Sequence, residues 1–393
     1  MGIHQAVESG SLQLEAEVYL KDYMDVDKLR MYEDEGIIDR RGHRTLPLNI
    51  YTFSKRAVYE NLWDDITTKC RGLIVHHSTE EIIARPFEKF FNIDTDYRPE
   101  THRANLPDAQ PIVSEKLDGS LGILWRWGGQ QGIATKGSFH SEQAEWATKT
   151  YNRYYPFSKW PEGYTPVFEI INESIQHHVV HYHGYNDLVL LALIENKTGM
   201  ELNEHSLQLW ARMNGISVSK TYNKSLDAVL AEDRKNHEGY VLSWPRLGRT
   251  PLKIKVKHKS FLDLQKVVHA ATPGAILEAL KTGNVDLLNT WIGQTNEPIG
   301  QWVKSWLVRL NGKYGEILIK SNNAYKQALF GANPSESRKA FALYVKEHAP
   351  EYASICFAML DGKDHKTLVW KKVEENFDAE LSKPFAIEEA KAA

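Results

Sequence analysis

Lys116 heads a short string, Lys116-Leu117-Asp118-Gly119-Ser120, in which a primary amine stands just before an Asp-Gly turn. Strand-like apolar runs flank it, Pro111-Ile112-Val113 before and Leu121-Gly122-Ile123-Leu124-Trp125 after. An amine fixed at such a corner can serve as a nucleophile, and Gly119, lacking a Cβ, lets the backbone come close to a ligand. Taken alone, the same string is equally a hairpin corner. A free lysine, with a pKa of ~10.4, is protonated at neutral pH and cannot attack, so neighbouring cations or desolvation must lower it. The 393 residues hold no Gly-x-x-x-x-Gly-Lys-[Ser/Thr] string, so a phosphate loop of that kind is not the way a nucleotide would be held.

Further charged groups follow in order: Cys70-Arg71-Gly72, Arg85-Pro86-Phe87-Glu88-Lys89-Phe90-Phe91-Asn92, Lys136-Gly137-Ser138, Phe168-Glu169-Ile170, Glu238-Gly239-Tyr240-Val241 and the basic run Leu252 to Lys259. Each has an ordinary explanation. Glu169 and Glu238 could be solvent-facing carboxylates, Arg71 and Lys89 surface ion-pair members, Phe91 plain core, and the basic run a solvated edge strand. Within that run, Lys253-Ile254-Lys255 and Lys255-Val256-Lys257 both put two lysines on one face of a strand, as two contacts to one phosphate group require.

In this order the set resembles the covalent nucleotidyltransferases, the superfamily of ATP-dependent ligases and capping enzymes, and more narrowly the phage-type RNA ligase family one. The narrower likeness rests on Arg85 to Asn92 ahead of the lysine and on Lys136 to Ala144 behind it, and it covers roughly residues 45 to 265. It implies that Lys116 attacks the α-phosphate of ATP and carries AMP as a phosphoramidate. AMP then passes to an RNA 5′-phosphate, and a 3′-hydroxyl displaces it. The resemblance also selects Lys255 and Lys257 as the working pair, since Phe261 and Leu264 then fall four and seven residues after Lys257. Those lysines would depress the pKa of Lys116 and bind phosphates. Glu169 and Glu238 match two acidic positions that hold the adenosine ribose and Mg²⁺, with Mn²⁺ as a substitute. Arg71, Lys89 and Lys136 would engage phosphates, Phe91 and Tyr51 the nucleotide, and Asp118 the turn or a ribose hydroxyl. The implied partners are ATP and single-stranded RNA or broken RNA ends, tRNA among them. Trp125, Trp127, Trp146 and Tyr151 lie near the basic motifs as candidate stacking platforms, although the core is their ordinary place. Where the family has Asn-Arg-Ile-Val, this chain has Gln176-His177-His178-Val179-Val180, without that arginine.

These groups need a scaffold, and the length suggests two domains. The apolar fraction of 42% and charged fraction of 25% are those of a globular chain that can bury a core. A net charge of −3 means that any polyanion site must be a local concentration of Lys and Arg. Short β-rich runs at Asn49–Phe53, Gly72–Val75, Pro166–Ile171, Leu188–Leu193 and Gly239–Leu242 predict antiparallel pairing. Beyond about 265, Ala275–Leu280, Trp302–Leu310 and Ser335–His348, the last just behind Pro334, carry apolar residues at helical spacing. The expected fold class is therefore α+β, an antiparallel-sheet nucleotidyltransferase (adenylation) domain over 1–270 followed by an all-helical domain over 271–393, divided near Pro273-Gly274. A DNA ligase or capping enzyme would instead show a β-rich OB-fold after the last basic motif. A catalytically silent nucleic-acid-binding relative is the non-enzyme alternative.

Cys70 and Cys356, the only cysteines, are too few for a disulfide framework and fit a reducing cytoplasm, a host's for a phage-encoded chain. Met1 to Gly10 shows no secretion signal, no run approaches a membrane span, and Ile387 to Ala393 reads as a frayed tail. His177, His178, His181 and His183 raise a transition-metal site, with exposed polar side chains on a strand as the commoner explanation. The sequence does not fix the oligomeric state; a monomer is favoured.

Overall fold

The computed structural model describes residues 17–173, 175, 178–294, 297–332 and 337–381. Met1 to Gly10, Gln176, His177, Pro334, Ser335 and the tail from Ile387 lie outside the described residues.

Alternating apolar residues build a first antiparallel sheet, in order, from β1 (Ile38–Gly42), β2 (Leu48–Phe53), β3 (Arg71–His76) and β4 (Ile82–Ala84). Its two faces feed two cores. Tyr51 and Phe53 of β2 pack with Leu29 and Ile66, while Leu48 and Ile50 pack with Leu121, Ile123 and Trp125, as the two-residue period of a strand requires.

The remaining strands are β5 (Phe91–Asn92), β6 (Ile112–Lys116), β7 (Ser120–Trp127), β8 (Gln130–Ala134), β9 (Tyr164–Ile171), β10 (Asp187–Glu195), β11 (Ser217–Val218), β12 (Thr221–Tyr222), β13 (Gly239–Arg246) and β14 (Arg249–Lys257). They form a second sheet in the order β11-β10-β9-β7-β8 and a third in the order β12-β6-β13-β14-β5. Pairing is antiparallel except for two short parallel contacts, β10 with β11 and β14 with β5. Three helices interrupt the β-rich stretch where none was anticipated, at Glu142–Tyr154, Glu204–Asn214 and Leu226–Ala231. Their signals were local: Ser141, Asn203 and Ser225 each accept a backbone N–H as N-caps, and Gly215 closes the second in the left-handed region.

β6 and β7, adjacent in sequence, belong to different sheets. The Lys116–Gly119 string is therefore no hairpin corner; it carries the chain from the third sheet to the second. A Cβ on Gly119 would lie 2.5 Å from the Ile170 carbonyl oxygen and 2.8 Å from Glu169 Cγ, so glycine is required here by the close approach of β9. This demand of the packing stands beside the expected one, access for a ligand.

Past Lys257 no strand occurs among the described residues, so the OB-fold expected of the alternative is not found there. The chain divides into two compact units between Leu262 and Asp263, eight residues ahead of the expected boundary. Helical periodicity begins at once after β14, in the helix Lys259–Ala270, and Pro273 opens the next helix at its first turn behind the N-cap Thr272. The second unit is helical and includes Glu297–Ala332, a 36-residue helix of which the sequence pattern had marked only a part. Arg338–His348 and Ala353–Leu360 pack against it through Phe341, Val345 and Cys356. Among the described residues no helix is long and apolar enough to cross a membrane.

Candidate active site

Strand register brings the basic and acidic motifs together. Gly239 at the start of β13 is paired with Lys116 on one side and Lys257 on the other, so the three stand in one row across the third sheet. Residues in one row point to one face, and Gly239 has no side chain to separate the two lysines. Glu238, just ahead of the row, takes both. Its Oε2 lies 2.8 Å from Lys116 Nζ and its Oε1 lies 3.1 Å from Lys257 Nζ. Glu238 is 5% exposed, so this clasp is a buried one.

The second sheet contributes Glu169, which stands opposite Leu121 and so beside the Asp118-Gly119 crossing. Burial pushes the Glu169 carboxyl up to about 8, with the Glu238 and Asp118 carboxylates adding to the rise and Lys116 and Arg71 opposing it. Asp118 is likewise raised, to about 6, by burial and by Glu238. Burial acts the same way on Glu238, but Lys116, Lys257 and Lys255 outweigh it and hold that carboxyl below its usual range.

Lys116 corrects an expectation. Burial alone would lower its pKa, yet Glu238 and Glu169 outweigh burial, and the amine is held above its ordinary value. The cations that are depressed are its neighbours. Lys255, 7% exposed on β14, is driven down by burial and by Lys89, Lys116 and Lys257. Lys89 is lowered to about 7 by burial and by Arg71, Lys136 and Lys257. Its Nζ lies 5.5, 4.8 and 5.0 Å from the ring centres of Phe53, Trp63 and Phe91. Phe91 thus meets a lysine inside the protein.

Arg71 and Lys136 approach through backbone packing. A Cβ on Gly72 would lie 3.1 Å from Lys136 Cα, Arg41 Nη1 donates to the Gly137 carbonyl at 3.1 Å, and Lys136 Nζ stands 5.5 Å over the Phe53 ring. The neighbouring lysine, Lys253, is engaged elsewhere, 2.9 Å from Glu201 and 4.8 Å over Phe87. Lys257 instead lies 5.2 Å over Phe261. Geometry therefore gathers Lys116, Asp118, Glu169, Glu238, Lys255, Lys257, Arg71, Lys89 and Lys136 at one place.

Tyr51 is not gathered there. It is buried in the core of the first sheet and its hydroxyl accepts from Arg30 Nη1 at 2.7 Å; Phe53, two residues on, is the β2 side chain that meets Lys89 and Lys136. Trp125 and Tyr151 are core side chains, and Trp127 and Trp146 pack against the same cores. His178, His181 and His183 lie on a loop, not a strand, and no group of three or more His, Cys, Asp or Glu suited to a metal occurs among the described residues. His178 is buried and lowered to about 4, chiefly by that burial, which keeps it neutral at physiological pH. Sequence reasoning missed Phe53 and Trp63, whose partner Lys89 is distant along the chain, and no short-range signal marks them.

Comparison with known proteins matches residues 69–261 to the family model described as RNA ligase. That match covers just under half of the chain. The matched segment runs from just before Arg71 to Phe261 and so contains every member of the gathered cluster. A Thermovibrio ammonificans protein named "Putative RNA ligase" is 28% identical over 194 residues, 48% of this chain and 50% of that protein. The chain thus spans about half the length of the curated relative that it matches. Among solved structures, an archaeal ATP-dependent RNA ligase is 14% identical over 74% of this chain and 79% of its own, with a TM-score of 0.45. An Aquifex aeolicus protein titled as a putative ATP-dependent DNA ligase is 12% identical over 91% and 81%, with a TM-score of 0.40. A mutant Naegleria gruberi RNA ligase with ATP and Mn is 18% identical over 40% and 51%, with a TM-score of 0.30.

Proposed function

We propose that the segment matched to the RNA ligase model works as an ATP-dependent RNA ligase through a lysyl-AMP intermediate on Lys116. The observation that carries this reading is the clasp of Lys116 and Lys257 by Glu238, with Glu169, Lys255 and Lys89 beside it. One amine surrounded by cations and carboxylates suits attack on a phosphoryl group, where positioning and charge stabilisation supply most of the catalysis. Lys116 Nζ, once deprotonated, attacks the α-phosphorus of ATP; a P–N bond forms and the bond to pyrophosphate breaks. An oxygen of the RNA 5′-phosphate then takes AMP, returning the lysine. Finally a 3′-hydroxyl attacks that 5′-phosphate, forming the phosphodiester and releasing AMP. Lys255, Lys257, Lys89, Arg71 and Lys136 bind the phosphates in turn, and Asp118 holds the turn beneath Lys116.

Two neighbouring carboxylates, the half-buried Glu169 and the buried Glu238, are the number that Mg²⁺ uses alongside phosphate oxygens, so the residues fit a hard divalent ion and not a transition-metal cage. Such an ion, or Mn²⁺, supplies charge neutralisation for the triphosphate and offsets the carboxylates that keep Lys116 protonated. Broken RNA with a 5′-phosphate and a 3′-hydroxyl is the substrate class, a cleaved tRNA included, and repair of such RNA in a cytoplasm is the role. The test is a substrate panel of 5′-phosphorylated single-stranded RNA, its DNA counterpart, and nicked duplex DNA. Sealing of the RNA supports the reading; preference for nicked duplex DNA overturns it in favour of a DNA ligase.

A further inference from the structure

The loop His178–Gly184 is tied down on three sides. Asp118 Oδ2 accepts from the Val179 and Val180 amides at 2.7 and 2.9 Å. Tyr182 Oη accepts from the Asp118 amide at 2.7 Å, and His178 meets the Tyr182 ring edge-on at 5.3 Å. Asn236 exchanges two bonds with the His181 backbone, its Oδ1 accepting from His181 N at 2.7 Å and its Nδ2 donating to His181 O at 3.0 Å. Glu173 accepts from the Tyr182 and Gly184 amides and so fixes the loop's base. Asp118 is two residues after Lys116, and Asn236 is two residues before Glu238. The loop therefore grips the backbone on both sides of the Lys116–Glu238 pair, which are 122 residues apart in sequence.

We propose that residues 178–184 are a strap that holds Lys116 in register with Glu238, and that Tyr182 is the positioning residue through which the strap acts on the lysine turn. Burial first, then the Asp118 carboxylate, keeps the phenol protonated, so Tyr182 works by hydrogen bonding and shape and not as a base. Asn236 has φ +57°, a backbone conformation that keeps its side chain turned back on the His181 segment. A hydrogen bond that fixes the approach of a nucleophile acts on the rate of attack more than on binding, because small misplacements are felt in the reacting geometry.

This inference rests on the lysyl-AMP reading, and the experiment separates the two. Wild-type chain, Tyr182→Phe and Asn236→Gly are mixed with α-labelled ATP and Mg²⁺, and single-turnover labelling is followed beside ATP affinity and thermal melting. Phenylalanine keeps the ring and removes only the acceptor; glycine keeps the left-handed backbone and removes only the clasp. Each variant is expected to label at least ~10-fold more slowly, the effect on a barrier of one hydrogen bond lost in Tyr182→Phe and two in Asn236→Gly, with ATP affinity and melting temperature little changed. Labelling within twofold of wild type in both variants, or a loss that tracks melting temperature and ATP affinity together, overturns the strap. Absence of label on the wild-type chain overturns the lysyl-AMP reading itself.

Discussion

Replacing Lys89 with methionine should make the protein more stable and less active at once. In the folded chain Lys89 is held at about 7, against ~10.4 for a free lysine, so at neutral pH folding disfavours its ammonium by about 4 kcal/mol. Contacts with Phe53, Trp63 and Phe91 recover part of the cost of burial, and methionine keeps favourable contacts with those same rings. The sign follows from proton counting. Between pH 7 and ~10.4 the unfolded chain carries a proton at this site that the folded chain has released, so wild-type stability rises with pH across that window. The advantage of Lys89→Met is therefore full below pH 7 and fades toward pH ~10. Even a quarter of it, ~1 kcal/mol, raises the melting temperature by ~2–4 °C in a unit of this size. Paired melts of wild type and variant at pH 6.5 and 9.5, alongside ATP labelling, measure both effects. A variant less stable than wild type at pH 6.5, or a difference independent of pH, refutes the reasoning.

Two further substitutions follow from the geometry. Lys257→Ala should cut ATP labelling by at least ~10-fold, because it removes a charged hydrogen-bonding partner from the Glu238 clasp, whereas Lys253→Ala, which loses its pairing with Glu201 and its contact with the Phe87 ring, should stay within a few-fold. The reverse order in a labelling assay would shift the working pair to Lys253 and Lys255. Gly119→Ala would place a methyl 2.5 Å from the Ile170 carbonyl; labelling should fall at least ~10-fold with a lower melting temperature, since the crossing strand must move by enough to disturb packing. Wild-type behaviour in both assays would contradict the close approach assigned to that glycine.

Much of the cluster was legible in residue order. Lys116, Glu169, Glu238 and the lysines of β14 were each marked by type and neighbours. What order could not show was register. That Gly239 stands between Lys116 and Lys257, and that Glu238 spans them, depends on pairing β6 and β14 to either side of β13. The same hidden pairing reversed the expected effect on Lys116, because burial, which lowers its pKa, is outweighed by Glu238, 122 residues away, together with Glu169. Tyr51 was misplaced for a related reason: it shares a face of β2 with Phe53, and only the packing shows that Phe53, two residues along the strand, meets Lys89 while Tyr51 meets Arg30. The helical second unit was visible in its period, but its start was not, since Pro273 suggests a break where the structure uses it as a helix's first residue. The helices at 142–154 and 204–214 had readable caps that were overlooked amid strong strand signals.

The central claim is that Lys116 is the residue that takes AMP. The direct measurement is to incubate the chain with α-labelled ATP and Mg²⁺, digest it, and locate the adduct by mass spectrometry, with Lys116→Ala alongside. The account predicts AMP on the peptide bearing Lys116 in the wild type and no adduct in the variant; an adduct on another lysine, or label that persists in Lys116→Ala, would contradict it.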